Sequence, residues 1–193
     1  SLREVKNLST SPIYEYTDTT LIVSGTNFRY QFNRRDGQLT SIVYQGVEML
    51  KSPIRLNLWR APLANELDNW NASNAHSSKW KEGFGYTMAT EMYSAGLNNL
   101  TLQPLSFSVS EVKGRVCVSI VNTELMGKGE KEKKDLYIEG VQSNGILNKY
   151  EYVIYGDGPL EVNHTLKPEG RMPLWFPRVG LTLTLNDALN CVQ

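Results

Sequence analysis

Apolar and polar residues alternate with a period of two through most of this chain, a pattern that suits strands and gives a helix no continuous apolar face. Phe28, Tyr30 and Phe32 fall on one side of an extended segment, with Arg29 and Gln31 on the other. Asp36-Gly37 follows, and Leu39 to Tyr44 resumes the pattern. Glycine at such a turn supplies the positive φ that closes a hairpin without a Cβ penalty. Gln45-Gly46 reads as a second turn. Val47 to Leu50 and Ile54 to Trp59 read as the next strands. Leu100 to Ser110, Arg115 to Thr123, Lys149 to Tyr155, Leu160 to Leu166 and Arg178 to Leu185 complete the series. Gly156-Asp157-Gly158-Pro159 makes a tight turn between two of them.

About ten short strands with no long helix between them predict an all-β chain folded as a large antiparallel β-sandwich. Only Leu67 to Ser94 breaks the pattern. A short helix is expected there from Lys79, capped by Ser77 or Ser78 and kept brief by Gly83 and Gly85. The 193 residues suffice for one good core, and no shift of composition marks a boundary. A single domain over residues 1–193 is expected, with Ser1-Leu2 read as a remnant of cloning.

Charge then narrows the partners. Lys plus Arg number 20 and Asp plus Glu number 20, so the formal net charge is zero. A nucleic-acid binder would be lopsidedly basic, and none is expected as a partner. No apolar run approaches the ~18 residues that span a bilayer, so no membrane partner is expected either. The charged run Gly127 to Asp135 reads as a solvated hairpin loop.

No stretch spells a catalytic motif alone: there is no nucleophile elbow, phosphate loop or zinc-binding His-Glu-x-x-His. The cysteines, Cys117 and Cys191, make no disulfide scaffold, and Cys117 in Val116 to Val121 is expected to be a buried, inert thiol. His76 and His164 lack Cys or His neighbours, so no metal site is expected. Sequons at Asn7, Asn71, Asn99 and Asn163 are assigned no role. Glu161 and His164 are three apart on one strand, so they point to opposite faces and cannot form a simple acid–base pair. His164 shares the parity of Leu160, Val162 and Leu166 and is expected to be partly buried and satisfied.

Asn57 to Trp70 is different. A strand ends at Trp59-Arg60, and Pro62 biases Ala61 away from helix. Asn65, Glu66, Asp68 and Asn69 then lie between Leu63, Leu67 and the tryptophans Trp59 and Trp70. Carboxylates and amides beside indole rings suit sugar recognition, because hydroxyls want polar partners and C–H faces want aromatic ones. A polar loop pinned by two core tryptophans is the plainer reading of the same residues.

Leu58-Trp59-Arg60-Ala61-Pro62 with Asn65-Glu66 resembles the Arg-Ala-Pro-x-Asp-Asn-Asp/Glu signature of bacterial β-galactosidases of glycoside hydrolase family two. Ile22 to Gly25, Phe28 to Phe32, Asp36 to Leu39 and Gly46 to Glu48 resemble the opening of that family's C-terminal small-chain domain, its fifth. Met172 to Leu181 resembles its Pro-Arg-Val/Ile-Gly-Leu segment. The resemblance runs from about Thr20 onward. Two departures stand out. Ala64 sits where the usual pattern has Asp, with Asp68 at a different spacing. Tyr155 to Glu161 mimics a Tyr-Gly-x-Gly-Pro-x-Glu segment but precedes Pro177-Arg178, so it reads as a turn.

The resemblance implies a galactose mutarotase-like supersandwich, here the N-terminal two-thirds of the domain. It implies a parent that hydrolyses terminal β-D-galactosides with retention on two glutamates of a (β/α) barrel. This chain would then carry no catalytic residue and would help shape the active-site mouth. Its partners would be the barrel and the other domains, and the galactoside. Asn65, Glu66, Trp59 and Trp70 are the expected substrate-side residues, and Arg60 and Arg178 the expected anchors, bonding carbonyls or a carboxylate such as Glu66. No cofactor is expected in this chain; magnesium and a monovalent cation would be held by other domains. Cytoplasm and periplasm both stay open. A sheet cut short would expose edges through which the chain self-associates, which sedimentation would register as dimers or larger species. Two other readings are a stand-alone carbohydrate-binding module and a mutarotase-like epimerase using His164 and Glu161.

Overall fold

The computed structural model describes residues 11–63, 66, 92–93, 95–127, 144–170, 172–173 and 175–189. The expected helix at Lys79, His76, Cys191 and the charged run from Lys128 to Asp135 lie outside the described residues. Eleven strands are described: β1 Ile13–Tyr16, β2 Thr20–Ser24, β3 Phe28–Asn33, β4 Gln38–Tyr44, β5 Val47–Glu48, β6 Leu50–Asn57, β7 Leu100–Val112, β8 Arg115–Met126, β9 Gly145–Ile154, β10 Leu160–Glu169 and β11 Gly180–Leu185. One sheet has the order β1-β2-β3-β4-β5, a second β10-β9-β8-β7, and β11 pairs with β6. Every pairing is antiparallel. The all-β sandwich read from the alternation is the fold observed.

The alternation decides which face is buried. Phe28, Tyr30, Phe32, Leu21, Val23 and Leu39 of the first sheet pack on Val116, Val118, Ile120, Tyr150, Tyr152 and Ile154 of the second. Phe32 and Tyr152 meet edge to face at 5.1 Å between centroids. The Tyr30 hydroxyl donates to the Gly158 carbonyl at 2.5 Å, so the first sheet is tied to the β9–β10 turn. A second cluster, Leu56, Leu58, Met92, Leu97 and Ile146, fills the far end beneath β6.

Several details depart from the expected strands. β6 stops at Asn57 and not Trp59, because the Asn57 side-chain carbonyl takes the Trp59 N–H at 2.8 Å. Val47 to Leu50 splits into β5 and the start of β6. β11 begins at Gly180, two residues after Arg178. β1 was not foreseen: Ile13 and Tyr16 are exposed, so its pairing leaves no buried alternation to read. β7 changes phase, with Leu100 and Leu102 inward before Phe107 and Val109; a bulge between Pro104 and Ser106 absorbs the extra residue. Cys117 is half-buried, not buried, because register puts it on the opposite face of β8 from Val116 and Val118.

Gly37 and Gly46 both close hairpins at positive φ, 70° and 79°. A Cβ on Gly37 would collide with the Ile120 side chain, whereas a Cβ on Gly46 would meet nothing within 4 Å. Gly46→Ala is therefore expected to cost about 1–2 kcal/mol from backbone strain alone. Gly37→Ala should cost about 1–3 kcal/mol more, since the core must also yield. Urea unfolding of the two variants measures the gap, and equal losses would contradict it.

Candidate functional site

The chain leaving β6 is organised by one ion pair. Arg60 and Glu66 meet side by side, with Nη1 donating to Oε2 at 2.8 Å and Nη2 to Oε1 at 2.7 Å. This fork geometry matches a planar guanidinium to a planar carboxylate. The Leu63 N–H adds a third bond to Oε2 at 2.7 Å, while the Glu66 N–H donates to the Leu63 carbonyl at 2.9 Å. The carboxylate bond to the N–H three residues earlier is one half of a capping box, the return bond being an ordinary backbone turn, so the carboxylate closes the turn as well as holding Arg60. Glu66 is only 5% exposed. The Arg60 guanidinium holds the Glu66 carboxyl below its ordinary range, against the opposing effect of burial.

Arg60 also reaches across the chain. Its Nε donates to the Pro177 carbonyl at 3.2 Å, and Nη1 donates to the Ala61 carbonyl at 3.1 Å. Arg60 and Pro177 are 117 residues apart. They belong to the two stretches whose sequences carry the resemblance, and one guanidinium joins them. Arg178 is exposed, and no hydrogen bond or ion pair of its side chain occurs among the described residues; at that end the anchor is the Pro177 carbonyl. Trp59 leans on Tyr93 at 4.8 Å between centroids and packs on the second core cluster. Asn65 and Trp70 lie outside the described residues.

With both oxygens of Glu66 engaged and its side chain buried, the residue suits holding the segment more than offering a free carboxylate to a ligand. His164 bonds Asn148 through Nε2 at 3.0 Å and stacks on Tyr150 at 4.2 Å. Burial keeps its pKa below the usual value. Glu161 instead accepts from the Tyr155 hydroxyl at 3.0 Å, so the structure does not bring Glu161 and His164 together. Among the described residues there is no cluster of three His, Cys, Asp or Glu that could hold a metal ion.

One feature escaped the reading of motifs. β8 continues its inward face from Val118 and Ile120 into Asn122 and Glu124, and β9 places Asn148 beside Asn122. These side chains are 3%, 7% and 0% exposed. Burial raises the Glu124 pKa, with Arg55 opposing. Glu124 and Arg55 line a cleft of about 510 Å³ together with Gln38, Asn57, Trp59 and Asn98. The signal was present as polar residues in the inward phase of an apolar alternation.

The family model described as "Beta galactosidase small chain" matches residues 24–193. A β-galactosidase of Priestia megaterium is 27% identical over 177 residues, covering 91% of this chain and 14% of that relative. A β-galactosidase of Vibrio cholerae is 27% identical over 171 residues, covering 89% of this chain and 14% of the relative. A shorter match, 42% over 69 residues, is to a β-galactosidase of Alteromonas mediterranea. The chain thus spans about 14% of the length of the first two relatives.

Glu66 has its pKa depressed below 4.5, so its stabilising contribution is present above that value and is lost as pH falls through the folded pKa. Glu48 behaves alike: bonds from Ser41, Leu50 and Ile42 outweigh the burial that raises its pKa. Glu66→Gln is expected to be less stable than wild type at pH 7, with the gap closing as pH drops below 4.5. The slope due to Glu48 should persist. Thermal unfolding across that range checks this, and a gap independent of pH would contradict it.

Proposed function

Because this chain belongs to the β-galactosidase small-chain family, we propose that it is a non-catalytic sandwich domain of a β-galactosidase that hydrolyses terminal β-D-galactosides with retention. The reading assigns the domain to one side of the active-site mouth, against the catalytic barrel of the same polypeptide. The carrying observation is the Arg60–Glu66 pair and its reach to Pro177. It ties Arg60, Leu63 and Glu66 together, residues that in sequence lie among Trp59, Asn65, Glu66 and Trp70, the expected substrate-side set. Arg60 and Glu66 are positioning residues in this account, and the acid and nucleophile belong to the barrel. The partner surface fits the same reading. Leu181, Leu183 and Leu185 alternate along β11 and, with Val179 just before it, are 37–56% exposed, a surface suited to cover by other parts of a larger chain.

The test is steady-state hydrolysis of a nitrophenyl β-D-galactoside by the full-length polypeptide. Arg60→Ala and Glu66→Gln are expected to lower kcat/KM by roughly 10–100-fold, since displacing a wall of the site misplaces substrate. The 193-residue chain alone should show no turnover. Wild-type kinetics in both variants, or turnover by the chain alone, would overturn the reading.

A further inference from the structure

The cleft between β4, β6 and the β7–β8 hairpin lies on a different set of side chains from the Arg60–Glu66 pair, Trp59 excepted. We propose that it is a binding site for a neutral saccharide unit. This inference does not depend on the active-site reading.

The cleft's volume of about 510 Å³ falls within the range of sites that enclose a small ligand. The lining balances charge against charge and donor against acceptor. Arg55 and Glu124 oppose each other in charge. Asp36 has both carboxylate oxygens bonded within its own turn, to Gln38 N and Asn33 Nδ2, so it adds little to recognition. Asn57 accepts the Trp59 N–H through Oδ1, which leaves its amide N–H₂ oriented as a donor. Gln38 and Asn98 bring an acceptor and a donor apiece. A free phosphate or carboxylate meets Glu124 as well as Arg55, and an ammonium meets Arg55 as well as Glu124, so the paired charges favour neither ion. Hydroxyl groups, which donate and accept at once, satisfy both.

The floor of the cleft is apolar. Leu56, Leu58, Leu100 and Leu102 give aliphatic contact for the C–H face of a sugar ring, with Trp59 at one side. Burying Glu124 to 7% exposure in an otherwise ordinary sandwich core costs free energy. Two residues back on the same face, the Asn122 side-chain carbonyl is buried with no hydrogen-bond partner. A carboxylate held at such cost on the wall of a cleft points to a ligand more than to stability.

The test titrates the 193-residue chain with methyl β-D-galactopyranoside and, separately, methyl β-D-glucopyranoside, following amide shifts by NMR. Saturable binding is expected with Kd on the order of 1 mM, as suits a ligand of this size. Arg55→Ala, at an exposed position, is expected to weaken binding about tenfold or more while leaving the core spectrum intact. Glu124→Gln, which keeps an acceptor, should weaken it less. No saturation by either sugar at about tenfold that concentration would overturn the proposal. So would saturable binding that neither variant alters, since the sugar would then sit elsewhere. Acetate or ammonium saturating where the sugars do not would also overturn it. Loss of hydrolysis by the full-length polypeptide bears on the active-site reading alone, so the two can fail separately.

Discussion

The Arg60–Glu66 pair is the contact on which the end of the sandwich just beyond β6 depends. Strand β6 ends because Asn57 bonds the Trp59 N–H, and Pro62 cannot donate, so the backbone beyond, residues 58–63, runs outside any sheet. What gives it a fixed course is a carboxylate with three donors and a guanidinium that reaches two carbonyls as well. One side of the pair is nearly dry, with the Glu66 side chain 7% exposed against 29% for Arg60. Such a pair is costly to break from one end, because the remaining charge is left buried without its partner. Specificity of path is its main product. The clamp takes a segment that follows β6 and fastens it to the one that precedes β11, and β6 and β11 are themselves paired.

The core was legible because it depends on period two alone. Phe28, Tyr30 and Phe32 could only share a face, and the hairpins at Gly37 and Gly46 could only turn where positive φ is cheap. What resisted reading was set by partners distant in sequence. Nothing near Arg60 announces that Pro177 will accept its bond. The bulge in β7 shows itself only as a change of phase between Leu102 and Phe107. β1 buries too little to leave a pattern. Cys117 illustrates a subtler failure: an apolar run such as Val116 to Val121 has two faces, and the alternation alone does not say which one meets the opposite sheet.

The candidate site divides the same way. Glu66 stood out by residue type beside the tryptophans and Arg60 through the family resemblance, and their pairing is a short-range matter of six residues. The polar stripe of Asn122, Glu124 and Asn148 was hidden inside strands otherwise typical of a core. It lies between the two hydrophobic clusters along β8 and β9, and Arg55 of β6 lines the same cleft as Glu124. A sandwich that needed only stability would fill those positions with Val or Ile, as β8 does at 116, 118 and 120. The proposed domain of a glycosidase and the proposed saccharide cleft are thus two uses of one scaffold, at neighbouring places along β6.

The central claim is that the guanidinium of Arg60 holds the segment after β6 in place through Glu66. Amide hydrogen exchange at Leu63 tests it most directly, because that N–H bonds to the Glu66 carboxylate and to no strand. The account predicts measurable protection at Leu63 in the wild-type chain and its loss in Arg60→Ala, with Tyr30 and Ile120 amides in the core unchanged. Exchange at Leu63 as fast as in an unstructured peptide in the wild-type chain, or equal protection in both proteins, would contradict it.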